Sequence, residues 1–445
     1  MSGTPGPIRI STRRERIANL AREMPGVALT SLSHHIDFHW LLEAYRLTRK
    51  DGAVGVDGQT AAEYERDLER NLLRLLDRAK SGAYRAPPVR RAHIPKGTGG
   101  ATRPIGIPTF EDKVLQRAVV MVLNEVYEQD FLDCSYGFRP GRSQHMALQS
   151  FWKQAMAMGG GTVVEVDVKS FFDAIDRKHL GEFLRQRVRD GVLLRLIGKW
   201  LKAGVLEDGC IRHPESGTPQ GGVISPLLAN VFLHEVLDTW FERDVRPRLR
   251  GRGFLVRFAD DFVMCFEREE DAERVLEVVV KRFAKYGLTV HPDKTRQVSF
   301  RRPPRNDGGK GSRRATRPGT FNLLGFTHYW GRSRRGNWVI KRKTMSSRLS
   351  RSLRAVWTWC KANRHQPLAE QHARLVRKLR GHYAYYGITG NGRAICAFRH
   401  WSYVIWRWWL NRRSRHTRGG LAGLDRRLER YPLPNAVVVH SVYRT

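Results

Sequence analysis

The stretch RFADDFVMCF, residues 257–266, sets two adjacent aspartates, Asp260 and Asp261, inside a run of Phe258, Ala259, Phe262, Val263, Met264, Cys265 and Phe266. An apolar run of this length, rich in aromatic and β-branched residues, reads as strand packed on a core. A carboxylate in such a place is costly unless it is paired or bound to a metal. Residues 254–266 are therefore expected to form a hairpin with the aspartates at its tip. Taken alone, such a pair also suits an ordinary surface turn.

A third carboxylate strengthens the chemical reading. Asp167 ends the strand-like TVVEVDV and is followed by KSFFD, 93 residues before Asp260. Carboxylates at adjoining strand ends of an apolar sheet make sense as hard oxygen ligands for Mg²⁺, which is held by one or two carboxylates together with substrate phosphates. Two such ions, roughly 4 Å apart, activate a 3′-hydroxyl and neutralise a leaving pyrophosphate.

The surroundings alternate between helix and strand without the regular repeat of a doubly wound fold, which points to an α+β body. Apolar residues at three- and four-residue steps predict helices in 12–80, broken by KDGAVGVDG, and over 110–131, with a stripe of Val114, Leu115, Ala118, Val119, Val122 and Leu123. Residues 84–108 are rich in Pro and Gly and read as a hairpin with a Gly-rich tip. Helices are expected over 178–203, over more than five turns after the Gly/Pro turn that opens 216–245, and over 270–286, with a short strand LLGF at 323–326. Residues 302–319 read as a basic linker. Past about 341 the pattern is helical and basic; in 341–364 cations fall on one side of a helix and Leu349, Leu353, Val356 and Trp357 on the other.

Charge divides the chain in two. Lys and Arg number 79 against 43 Asp and Glu, a net charge of +36. Residues 301–445 alone hold 33 basic and 4 acidic side chains and eight of the twelve Trp. That imbalance selects a polyanionic partner, nucleic acid above all. The five cysteines, Cys134, Cys210, Cys265, Cys360 and Cys396, form no C-x-x-C pair, which argues against zinc ribbons and a disulfide framework. With no apolar leader and no run of about 18 apolar residues, the expectation is a soluble cytoplasmic protein without membrane contact.

These motifs, in this order, resemble a known family. RFADDFVMCF resembles the F/Y-x-D-D hairpin of reverse transcriptases, VDVKSFFDAID their first aspartate motif, and GTPQGGVISPLLANVFLHEVLD the P-Q-G motif that follows. IPKG…RPIGIP upstream and LLGF downstream also fit reverse transcriptases, and CSYGFRPGRSQHMAL (134–148) is similar to the group II intron-encoded kind of bacteria. LRGHYAYYGITGN (379–391) and RHWSYVIWRWWLNRRS resemble their maturase, or thumb, domain. The resemblance spans roughly 30–430. It implies a right-hand polymerase: a helical N-terminal extension (1–85), fingers and palm with antiparallel sheet (86–330), and an all-helical basic thumb/maturase domain (331–445). The chain stops about fifty residues past GITGN, so a DNA-cutting HNH domain of the kind many relatives carry is not expected.

The same resemblance assigns roles. Asp167, Asp260 and Asp261, with the Val168 carbonyl, would hold two Mg²⁺ ions, Mn²⁺ substituting. Phe172 would be the ring that excludes a ribose 2′-hydroxyl, its neighbour Phe171 being a core aromatic. Lys96 and Arg103 would grip the triphosphate, Gln220 would touch the incoming nucleotide, and Gly221 and Gly222 would allow close backbone approach. Arg139 and Arg142 would contact template, Lys294 would lie near the site, and Lys341, Arg342 and Lys343 would bind RNA. The partners implied are an RNA template, group II intron RNA, a DNA or RNA primer and its RNA–DNA hybrid, and dNTPs, with a homodimer left open. Two other readings stay open: a free-standing reverse transcriptase of this type serving defence, repair or CRISPR adaptation, and a non-catalytic RNA-binding splicing factor.

Overall fold

The apolar stripe expected over 110–131 becomes the helix Phe110–Tyr127 in the computed structural model, which describes residues 10–95, 102–207, 209–212, 216–217, 221–304, 318–413 and 420–441. Thr109 caps the helix by accepting from the Asp112 backbone N–H at 3.3 Å. Val114, Leu115, Ala118, Val119, Val122 and Leu123 are fully buried, each large side chain contributing roughly 1.5–3 kcal/mol. Helices Ile10–Glu23 and Phe38–Leu47 pack on it, and Trp40 donates to the Ala118 carbonyl at 2.9 Å. The long helical stretch near 178–203 divides into Arg177–Arg187 and Gly191–Lys202. Asp190 makes the break by capping the second helix through Val192 and Leu193 while also accepting from Leu32 and Ser33.

One polar group in this core has a measurable consequence. Asp112 is buried, and accepts the Tyr84 hydroxyl and Trp200 Nε1 at 3.0 Å. Burial pushes its carboxyl up to about 7. A carboxyl raised above its unfolded value of ~3.9 gives its full stabilisation below that value, and loses it as pH rises through the folded value. From pH 5 to pH 8 this group alone is expected to cost on the order of 2–3 kcal/mol. Asp112→Asn should flatten that slope in denaturant titrations at the two pH values. Equal slopes would show that the carboxyl is ionised in the folded protein.

Eleven strands are described: β1 (Val89–Pro95), β2 (Thr102–Ile107), β3 (Thr162–Val166), β4 (Val205–Glu207), β5 (Cys210–Arg212), β6 (Gly253–Phe258), β7 (Asp261–Phe266), β8 (Arg296–Ser299), β9 (Phe321–Leu323), β10 (Phe326–Arg332) and β11 (Trp338–Thr344). They form sheets of order β2-β1-β4-β5, β6-β7-β3-β8 and β11-β10-β9. In the first, β1 and β2 are the expected antiparallel hairpin, running to the pair Pro95↔Thr102, and β4 joins β1 in parallel at Val89↔Val205.

The chain divides into two compact units: 1–147, 164–264 and 268–296; and 148–163, 265–267 and 297–445. The second unit holds most of the helix Gln144–Met158 and takes up the chain again at 297, where strands come before helices. β10 and β11 pair antiparallel from Phe326↔Thr344 to Arg332↔Trp338; past this hairpin the chain is helical from Ser346 (Ser346–Asn363, Leu368–Tyr386, Gly392–Asn411). Alternation explains the strand, since Ile340, Arg342 and Thr344 face inward. In the helical part Val356, Cys360, Leu375, Leu379, Phe398 and Trp406 form the core, with Leu349 and Leu353 against it. Trp330, Trp406 and Trp409 are buried, whereas Trp357 and Trp401 stand exposed.

In the first unit, the helix opened by Ser225 is regular to Leu233 and then runs through two π-helical stretches, His234–Asp238 and Phe241–Val245. Among the described residues no helix is long and apolar enough to cross a membrane.

Candidate active site

The aspartates stand where strand ends meet. β6 and β7 are joined by a turn through Ala259 and Asp260, and Asp261 opens β7. Asp167 follows β3, the strand hydrogen-bonded to β7. The backbone past β3 is pinned from the other side: His291 N–H donates to the Asp167 carbonyl at 2.7 Å, Lys169 N–H to Thr289 at 2.9 Å, and Val168 bridges Val290. Four non-glycine residues among those described have positive φ, and three of them, Phe138 (57°), Ser170 (43°) and Ala259 (56°), flank this place. Such backbone persists only where the surroundings over-determine it, and it gathers at functional sites.

Electrostatics tie the carboxylates together. Asp260 is exposed at its surface, yet the protein around it, with the charge of Asp167 adding, holds its carboxyl above the ordinary range against Arg103 and Arg257. Asp260 therefore feels Asp167 on the neighbouring strand and Arg103 on β2. Asp167 is half-exposed and pairs with Lys294 at 2.9 Å, so Lys294 lies directly at the site. Among the described residues no three His, Cys, Asp or Glu side chains converge on one point as metal ligands. The donor chemistry nevertheless fits a hard divalent ion: carboxylate oxygens at adjoining strand ends are the ligands that such an ion takes.

Phe171 is buried, its ring 6.5 Å from Phe232, while Phe172 is half-buried and meets Phe171 edge-on. Phe172 is thus the ring of the pair that keeps an accessible face. Gly221 takes φ +116°, where a Cβ would lie 2.5 Å from the Gly106 carbonyl oxygen, so only glycine lets this loop rest on β2. Lys96 and Gln220 lie outside the described residues.

The basic residues expected to contact RNA separate into two groups. Arg139 is buried and donates to Glu128 and to the carbonyls of Leu132, Ser135 and Phe131; it is a structural residue, and this corrects its assignment to template. Arg342 is 1% exposed, on the inward face of β11 and opposite His328, which likewise removes it as a contact. Arg142 is largely covered and pairs with the exposed Asp133 at 2.6 Å. Lys343 is exposed and Lys341 half-exposed. Lys341, Arg334 and Arg335 line a cleft of about 680 Å³ with Trp152, Ser333 and Thr389.

Sequence reading passed over Arg257. It is fully buried beneath the turn and paired with the equally buried Asp238. A lone arginine inside the apolar strand GFLVRF was the available signal.

The reverse transcriptase (RNA-dependent DNA polymerase) family matches residues 94–328, just over half of the chain. The chain belongs to the reverse transcriptase family. As a member, it is an RNA-directed DNA polymerase, and the family works with divalent metal ions. A 287-residue alignment of this reverse transcriptase with Protein YkfC of Escherichia coli (strain K12) is 35% identical and spans 57% of this chain and 75% of YkfC. It is also 35% identical over 283 residues to the group II intron-encoded protein LtrA of Lactococcus lactis subsp. cremoris, covering 60% of this chain and 46% of LtrA. A 91 kDa protein in a cob intron of Schizosaccharomyces pombe is 38% identical over 169 residues, 38% of this chain and 20% of that protein.

Proposed function

We propose that this reverse transcriptase is the protein of a group II intron, copying RNA into DNA and binding its intron RNA to assist splicing and mobility in the bacterial cytoplasm. The observation that carries the polymerase site is the meeting of the three aspartates at neighbouring strand ends: Asp167 follows β3, which is hydrogen-bonded to β7, and Asp260 and Asp261 stand where β6 turns into β7. Asp167, Asp260 and Asp261, with the Val168 carbonyl, would hold two Mg²⁺, with Mn²⁺ able to replace them. Bound there, the ions supply charge that lowers the pKa of a primer 3′-hydroxyl and neutralises the leaving pyrophosphate. Lys96 and Arg103 steady the triphosphate, where cations offset charge that grows during transfer. Gln220 reaches the incoming dNTP, and Arg142, Lys341 and Lys343 lie along template RNA, the RNA–DNA hybrid or the intron. The likeness to LtrA and to proteins of other introns supports the splicing role.

Phe172 tests the sugar side of this reading. Its half-exposed ring would leave no room for a 2′-hydroxyl. Primer extension on an RNA template with Phe172→Val is expected to incorporate rNTPs at least about tenfold better relative to dNTPs, the value of roughly 1.4 kcal/mol of lost discrimination. Unchanged selectivity with normal dNTP use would place the gate elsewhere.

A further inference from the structure

Beneath the turn that carries Asp260 and Asp261 lies a polar assembly that none of the roles above uses. Its centre is Arg257, at the end of β6 and 0% exposed. A guanidinium has five N–H donors in a fixed planar fork, and the partners of Arg257 surround that fork. Nε donates to Asp238 Oδ1 at 2.7 Å, and one terminal nitrogen to Asp238 Oδ2 at 2.5 Å and Ser135 Oγ at 2.7 Å. The other terminal nitrogen donates to Asn230 Oδ1 at 2.9 Å and to the Ala259 carbonyl at 3.1 Å.

The last bond is the informative one. Ala259 holds left-handed φ, and its carbonyl belongs to the peptide that leads into Asp260. The same side chain that is locked to Asp238 therefore grips the turn one residue before the carboxylates.

A second set of bonds holds the turn from outside. The Arg257 backbone donates to Cys134 at 2.8 Å and accepts from Tyr136 at 2.9 Å, which lays CSYGF alongside β6. Asn230 Nδ2 donates to the Gly137 carbonyl at 2.7 Å. Gly137 then sits so close to the turn that a Cβ would lie 2.2 Å from the Ala259 nitrogen and 2.8 Å from the Phe258 carbonyl carbon. Phe138, also at positive φ, brings its ring to 6.3 Å from that of Phe258.

We infer that Arg257, with Asp238, Asn230, Ser135 and the Gly137 backbone, is a positioning cradle that presents Asp260 and Asp261 for metal binding. Arg257 touches no substrate; it acts through the Ala259 peptide. The inference rests on the proposed metal role of those aspartates, and the test keeps the two apart.

Mn²⁺ binding without nucleotide is measured by electron paramagnetic resonance, beside kcat and dNTP KM in primer extension, melting temperature, and template–primer affinity. Four proteins are compared: wild type, Asp260→Asn/Asp261→Asn, Arg257→Lys, and Arg257→Met/Asp238→Leu. The last removes both buried charges together, an exchange that buried pairs commonly tolerate. Lysine keeps the charge but brings three donors rather than five.

The aspartate variant is expected to lose Mn²⁺ binding. The Met/Leu variant should melt near wild type and hold template–primer normally, while Mn²⁺ affinity and kcat fall roughly 10–100-fold, the usual cost of losing a group that orients metal ligands. Its dNTP KM should change little, and Arg257→Lys should recover part of the loss. If the Met/Leu variant does not fold, Arg257→Lys and Ser135→Ala carry the same measurement. Wild-type Mn²⁺ affinity and kcat in the folded variants would overturn the cradle. Undiminished Mn²⁺ binding in the aspartate variant would instead overturn the metal role on which it stands.

Discussion

Asp260→Asn/Asp261→Asn is expected to abolish primer extension on an RNA template, by on the order of a thousandfold or more, as when groups that organise charge in the transition state are removed together. Asparagine keeps the volume and one acceptor oxygen of each side chain and removes two negative charges from a place where Asp167 already opposes ionisation. The turn itself should survive, because its bonds to Arg257 run through the Ala259 carbonyl rather than through either carboxylate. Wild-type synthesis should stop in a chelator and return with Mg²⁺ or Mn²⁺; the variant should respond to neither. The same variant should bind its intron RNA at least as tightly as wild type and still promote splicing, since removing anions next to a polyanion costs nothing. Near-wild-type synthesis would make the carboxylates structural. Loss of RNA binding together with synthesis would show that the two activities share one surface.

The second large effect is ionic. Residues 301–416 carry 28 basic and 2 acidic side chains, so intron RNA binding should be driven by counterion release. If about six phosphates are neutralised, affinity should fall on the order of a thousandfold between 50 and 200 mM salt. Lys341→Ala/Lys343→Ala should weaken binding and lower the slope of log affinity against log salt by roughly one for each phosphate left without its lysine. Arg342→Ala is expected to act differently. This side chain is buried on the inner face of β11, and its removal should lower the melting temperature while leaving the salt slope of the remaining folded protein intact. Gel-shift titrations at four or five salt concentrations separate the cases. A slope unchanged in the double lysine variant would move the RNA surface away from the cleft lined by Lys341.

That contrast between Lys341 and Arg342 shows where sequence reading reached and where it stopped. The hairpin that carries Asp260 and Asp261 was legible because apolar runs on both sides of the pair mark two strands, and the helix Phe110–Tyr127 because its stripe from Val114 to Leu123 repeats over nearly three turns. Phe171 and Phe172 could be told apart because one neighbour of any such pair must face the core. Charge, by contrast, was read as though every cation were solvated. Arg139, Arg257 and Arg342 are all covered, and what covers Arg257 comes from afar: Asn230 and Ser135 lie 27 and 122 residues from it. No local pattern announces such partners. The β10–β11 hairpin was missed for a related reason, because an inward-facing arginine breaks the apolar alternation that would have marked the strand.

The π-helical stretch His234–Asp238 has a consequence for how such a chain can vary. A π turn is a regular helix holding one residue more than its register needs, and here that turn ends on the partner of Arg257. Deleting a single residue between Leu233 and Asp238 would let the helix relax to ordinary α geometry and look harmless by propensity. Because the π turn absorbs its extra residue, that deletion would leave Asp238 on nearly the same face, whereas a deletion in the regular helix Ser225–Leu233 would swing Asp238 by about 100° around the axis and leave a buried guanidinium without its counter-charge. Length changes that surface loops absorb freely are therefore closed to the regular helix before this turn, and the substitutions the turn admits are constrained by a strand about twenty residues downstream.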